Sequence, residues 1–174
     1  VVGAPEGADL EALTWVEGVR FVLGTETQEK GRTRDVILDG RLDGGRFKVA
    51  PVGHLEYTRW RLTARDNHGI EGICHVDGLM ILATELAEEQ RGRRWAPVGM
   101  FDPKIQTWTA HRVALSSDTG KLSALDCRVR NGVVEALAVE RHYEVSRLIR
   151  FRVPRGSEGQ WIEPTVVADL SKLV

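Results

Sequence analysis

Apolar residues along this chain fall in runs of four to eight, each closed by Gly, Asp, Asn or Pro, which is the punctuation of strands rather than helices. The runs come in pairs around a turn. Residues 10–13 and 19–26 flank Glu17-Gly18, residues 70–73 and 79–85 flank Asp77-Gly78, and residues 122–125 and 133–140 flank Asn131-Gly132. In each pair the Gly, with an Asp or Asn before it in two of them, suits the positive φ of a tight hairpin. A charged connection follows each hairpin and ends at an arginine, Arg34, Arg94 or Arg147, where a third strand begins. After a further turn, a fourth strand carries Phe47, Trp108 or Trp161. Residues 54–62 either extend the first fourth strand or add another. Helix is expected only at 84–90, with a final turn at 169–173.

The pattern is thus a threefold repeat of four antiparallel strands within one domain, residues 1–174, with units of about 10–65, 70–118 and 122–168. A four-stranded unit of this length is a β-propeller blade, and the β-trefoil, also three units of four strands, is the alternative fold. The fold class is all-β. The almost unbroken apolar second strands argue for blades, because a strand covered on both faces loses its alternation. Propellers close with about four to eight blades, so three leave two open faces. Either the chain is a piece of a longer protein or it pairs with itself, as a homodimer completing a six-unit ring. The apolar residues at 21–23 and 149–153 are the surfaces expected to meet.

Composition adds limits. The chain has 174 residues, 28% charged and 42% hydrophobic, with a net charge of −1, which is the balance of a globular protein with a sizeable core. Its 24 Lys and Arg are scattered, so neither nucleic acid nor an anionic membrane is an expected partner. No apolar run approaches the ~18 residues of a spanning helix. The sequence assigns no compartment. Cys74 and Cys127 fall in aligned first strands of neighbouring units; one bridge is open to them, but two free buried thiols are the expectation.

Two groups of residues carry candidate chemistry. Glu26, Glu85 and Glu140 recur with Arg34, Arg94 and Arg147, and a feature present in every unit reads as a carboxylate–guanidinium staple of the sheet. Glu11 and Glu71 differ, because the third unit has Ser123 in their place. They sit on the first, innermost strand beside small residues, Ala12 and Gly72, where blades crowd an axis. With Asp9, Asp66 and Asn67 from the preceding loops they are expected to face a common cavity, and carboxylates held together call for neutralisation by protons or metal. Glu11, Glu71 and Asp9 are the expected ligands, and oxygen donors favour Ca2+ or Mg2+. His68 and His75, on either side of Glu71, are the candidate bases. His111 and His142 lack a partner at metal spacing, and no nucleophile elbow, P-loop, Cys-x-x-Cys or His-Glu-x-x-His motif occurs.

Asn67-His68-Gly69-Ile70-Glu71-Gly72-Ile73, followed by Ile81-Leu82-Ala83-Thr84-Glu85 and Arg94-Trp95-Ala96-Pro97, and later Leu137-Ala138-Val139-Glu140-Arg141, resembles the esterase-like phytase family of β-propellers. The chain is more loosely similar to gluconolactonase-type propellers, whose Glu-Gly pair supplies a metal ligand in the central channel. The resemblance implies a propeller, and a hydrolase in which a hard cation polarises an ester or phosphoester. A non-catalytic propeller that binds a small-molecule ligand or a protein across its top face is the alternative.

Overall fold

The structure, a computed structural model, describes residues 1–26, 31, 33–61 and 68–172. The first unit consists of β1 (Asp9–Glu17), β2 (Arg20–Glu26), β3 (Arg34–Asp43) and β4 (Arg46–Glu56), followed by α1 (Tyr57–Trp60). The second contains β5 (Ile70–Val76), β6 (Leu79–Thr84), β7 (Glu88–Gln90), β8 (Arg93–Asp102) and β9 (Thr107–Ala114). The third contains β10 (Lys121–Arg130), β11 (Val133–His142) and β12 (Val145–Val153), with β13 (Trp161–Ile162) and β14 (Thr165–Asp169) closing the chain.

Each unit forms its own antiparallel sheet in sequence order, β1-β2-β3-β4, β5-β6-β8-β9 and β10-β11-β12-β14. This is the blade arrangement; the strands do not close into the barrel a trefoil requires. The hairpins turn where expected, with Asp77 and Gly78 at φ 52° and 78° and Asn131 and Gly132 at 51° and 75°, the geometry that Asp-Gly and Asn-Gly accommodate.

Three layers of apolar side chains explain the run-like pattern. Strand β6 sends Met80 and Leu82 toward Ile37, Leu55 and Ile70 on one side. It sends Ile81 and Ala83 toward Val134, Ala136 and Ile149 on the other. Buried on both faces, it has no polar side to show. The third layer, Leu23, Leu38 and Val49, lies on the outer face of the first unit beneath Ala4 and Phe47.

Inner strand β5 packs against both β1 and β10. A Cβ on Gly72 would stand 2.8 Å from Leu125 Cβ and 2.9 Å from its backbone N, so glycine sets how closely β5 and β10 approach. A disulfide between Cys74 and Cys127 joins the same two strands, Cα to Cα 5.7 Å. The expectation of free thiols is therefore corrected: the crowding that buries the two side chains also brings them within bonding reach.

Three further expectations change. Residues 88–90 are the short strand β7 on β8, not helix. The helix is instead α1, directly after β4, whose Trp60 fills the space above Gly99 and meets Trp108 edge to face at 5.5 Å. Trp161 lies on β13, which joins the second unit's sheet in parallel with β9 (Trp161↔Arg112), and β14 takes the fourth place in the third unit. The final turn appears as a 3-10 helix, Leu170–Lys172.

Candidate functional site

The same irregularity marks the start of every inner strand. On β1, Leu10 pairs with Thr25 and Ala12 with Gly24, leaving Glu11 as the extra residue. On β5, Ile70 pairs with Thr84 and Gly72 with Ala83, leaving Glu71. On β10, Leu122 pairs with Glu140 and Ala124 with Val139, leaving Ser123. A bulge of this kind frees one residue from the ladder and re-aims its side chain. The three bulged positions are the three at which the repeat varies as Glu, Glu, Ser.

The fold gathers negative charge around the first two. Glu71 is partly buried, and its carboxyl is raised from 4.5 to about 7. Burial is the largest cause, followed by the charges of Glu85, Glu11 and Glu26, with Arg141 opposing them. Glu11, which is exposed, is raised by desolvation and by Asp9, with a smaller push from Glu85. Asp9, Glu11, Glu26, Glu71 and Glu85 thus share one region at the bulge end of the first two blades. Among the described residues no three or more His, Cys, Asp or Glu are grouped so as to hold one metal ion. Asp66 and Asn67 lie outside the described residues.

His68 stands at the entry to β5, three residues before Glu71. His75 does not join the group. Four residues along an extended strand carry it about 13 Å from Glu71, to the hairpin end. There burial, then Arg20, lower its pKa against the opposing pull of Glu17, Asp39 and Asp77.

The expected staples are rearranged. Glu140 faces Arg147 across β11 and β12, but its carboxylate is fully buried and caps the loop before β10. It accepts from Ser116 N at 2.9 Å, Ser116 Oγ at 2.6 Å and Ser117 Oγ at 2.5 Å. Arg147 donates to Ser116 O and Ser116 Oγ. Glu85 pairs with Lys121 of the next unit at 3.5 Å rather than with Arg94, and no ion pair joins Glu26 to Arg34 among the described residues. At Glu140 the serines of the loop before β10 come within hydrogen-bonding reach, and at Glu85 the neighbouring blade's Lys121 supplies the cation. Glu85 and Glu26, expected in staples, both act electrostatically on Glu71. The signal that could have joined them is their position, opposite the bulged residue at the far end of each hairpin.

No family model and no curated protein matches the chain. Among solved structures it is similar to a phage phi92 endosialidase, with a TM-score of 0.57 and 14% identity over 92% of this chain and 26% of that one. It is also similar to MPT-4, a mannose phosphorylase from Leishmania mexicana, with a TM-score of 0.46 and 10% identity over 90% of this chain and 46% of that one. The chain spans about a quarter of the endosialidase's length. What the first likeness shows is the fold: an all-β chain built from four-stranded propeller blades.

Proposed function

We propose that this chain forms part of a propeller-type hydrolase acting on an ester or phosphoester, of the phytase-like or lactonase-like sort, with its centre at the bulged glutamates. The observation that carries the reading is the partly buried Glu71, lifted to about 7 by burial and by Glu85, Glu11 and Glu26. Two neighbouring carboxyls with separated affinities for the proton divide acid and base work between them. Glu71 holds a proton near neutrality and donates it to a leaving oxygen, with the exposed Glu11 beside it as the second carboxyl of the centre. His68 at the mouth of β5 is the candidate base; His75 stands at the far, hairpin end of the strand.

A Ca2+ or Mg2+ ion at this centre would draw on Glu11, Glu71 and Asp9 and would supply a positive charge to polarise the ester. The described carboxylates do not form a ready cage for it. Like charges facing one another still favour any cation that enters.

The test is turnover of 4-nitrophenyl phosphate, 4-nitrophenyl acetate and a γ-lactone by the protein and by Glu71→Gln, each with EDTA, Ca2+ or Mg2+. Turnover that falls at least a hundredfold in the variant and declines above pH 7 supports the acid. Absence of turnover in every condition, together with no heat on titrating either ion, moves the protein to the non-catalytic reading. The neutral Ser123 at the third bulge is the observation that favours that alternative.

A further inference from the structure

Arginines that look scattered in sequence are collected by the third blade. Strand β11 lies between β10 and β12, with Arg128↔Glu135 and Glu135↔Arg152 in register. On β12, Ile149, Phe151 and Val153 point into the core and are at most 3% exposed, so Arg150 and Arg152 point away from it. On β10 the same alternation exposes Asp126, Arg128 and Arg130. The open face of this blade is cationic where apolar contact was expected from residues 149–153.

A groove of about 690 Å3 runs along its hairpin end, walled by Arg130, Arg150 and Arg152. Its two carboxylates are engaged. Glu135 accepts from Arg128 Nε and Nη2 at 3.3 and 3.2 Å. Glu163 accepts from Arg93 and, at 2.7 Å, from Trp161 Nε1, and the Arg93 bond holds its carboxyl below the usual range, so it stays ionised and occupied. Arg130, Arg150 and Arg152 make no ion pair or side-chain hydrogen bond among the described residues. Val133, 38% exposed, supplies an apolar side chain and Thr165 a hydroxyl.

We propose that this groove binds a multivalent oxyanion, a ligand bearing two or more carboxylate or phosphate groups on a carbon or phosphate backbone. Residues two apart on a strand stand about 7 Å apart, and strands on either side of a third about 10 Å, so the guanidinium groups present a spaced set of positive charges. Each offers a planar fork that meets a carboxylate or phosphate with two hydrogen bonds. The volume suits a ligand of a few sugar or phosphate units. The groove lies at the hairpin end of β10, about 24 Å of strand from the bulge at Ser123. It is opposite in sign to the glutamate centre and stands independently of the reaction proposed there.

Calorimetric titration at low salt with sodium tripolyphosphate and with trigalacturonate tests this, with maltotriose as the uncharged control. The expected result is binding of at least one anionic probe and none of maltotriose. Arg150→Gln/Arg152→Gln should weaken binding at least tenfold, as should raising NaCl from 50 to 300 mM. The exposed Arg141→Gln, at the far end of β11, should bind as the parent does. Preference for tripolyphosphate assigns the groove to phosphates, and preference for trigalacturonate assigns it to acidic sugars. No heat with either anion, or equal binding by the folded double variant, overturns the proposal.

Discussion

Replacing Glu71 with Gln should raise the stability of this protein at alkaline pH and leave it unchanged in acid. The folded-state pKa of about 7 lies above the ordinary 4.5, so the native chain holds this proton more tightly than the unfolded chain does. Stability is therefore fully present below about 4.5 and falls as pH rises toward 7. The difference between 4.5 and about 7 corresponds to at most about 3.4 kcal/mol. Discounted for the part of the side chain that stays wet, about 2 kcal/mol remains. Gln keeps the shape and removes the charge, so Glu71→Gln at pH 8 should melt about 4–8 °C higher than the parent, for a chain of this size. At pH 4 the two should melt together. Thermal unfolding followed by circular dichroism from pH 4 to 9 reads both curves. Parallel curves would refute the reasoning, because Glu71 would then be ionised at no more cost folded than unfolded. Added Ca2+ supplies a second reading: if the ion occupies the centre, millimolar Ca2+ should raise the parent's melting temperature at pH 8, and EDTA should reverse it. The variant should respond less.

Further outcomes follow from other contacts. Loss of the Cys74–Cys127 bridge, with a sequence separation of 53, should lower stability by about 4 kcal/mol; Cys74→Ala/Cys127→Ala in a urea titration checks this, and thiol counting in denaturant should find none in the parent. Glu140→Gln should cost about 2–4 kcal/mol, because three donors then face a weaker acceptor in a buried place. Glu85→Gln, at a partly exposed pair, should cost under about 1 kcal/mol, and the same melting series compares the two. Self-association is proposed through the open face of the first unit, where Leu13, Trp15 and Leu42 are 61%, 62% and 48% exposed. Light scattering should give about twice the 19.4 kDa of one chain, and Trp15→Glu should return it to one; a parent that is already a monomer ends the idea. If the dimer closes a six-unit ring, Arg150→Glu should also change the mass, whereas pairing through first units alone leaves it unmoved.

The blades were legible because their signals are local. Asp77-Gly78 and Asn131-Gly132 state the turns, and the apolar run of β6 states burial on both faces. The disulfide was not, since the sequence put Cys74 and Cys127 in aligned strands without saying how far apart the strands stand. That distance is set by Gly72 against Leu125. The exchange of Trp161 into the second sheet also escaped. It repeats the aromatic of the other fourth strands, but a two-residue parallel pairing with β9 depends on the path of the chain between β12 and β14. The basic groove escaped for the reason opposite to the turns: Arg128, Arg130, Arg150 and Arg152 become neighbours only once β11 is placed between β10 and β12.

The bulges link the repeat to its chemistry. A unit that recurs three times must satisfy the same packing demands three times, and the inner strands do so with Ala12, Gly72 and Ala124 one residue beyond the bulge. The bulged residue itself is released from the ladder, so its identity is not dictated by pairing. That freedom accounts for Glu11, Glu71 and Ser123 standing at equivalent positions with different chemistry. It also explains why charge concentrates asymmetrically: two of the three bulges carry glutamate, and Glu85 and Glu26 stand near enough to raise Glu71, whereas at the third Glu140 is turned away to hold Ser116 and Ser117. Converting Ser123 to Glu should therefore leave the fold intact, because the bulge already points the side chain out of the ladder. It should lift Glu71 further above 7, because a third carboxylate joins the same axis. A titration of Glu71 followed by carbon-13 NMR that moves up in Ser123→Glu would show the three bulges facing one space. An unmoved midpoint would separate the third blade from the centre formed by the first two.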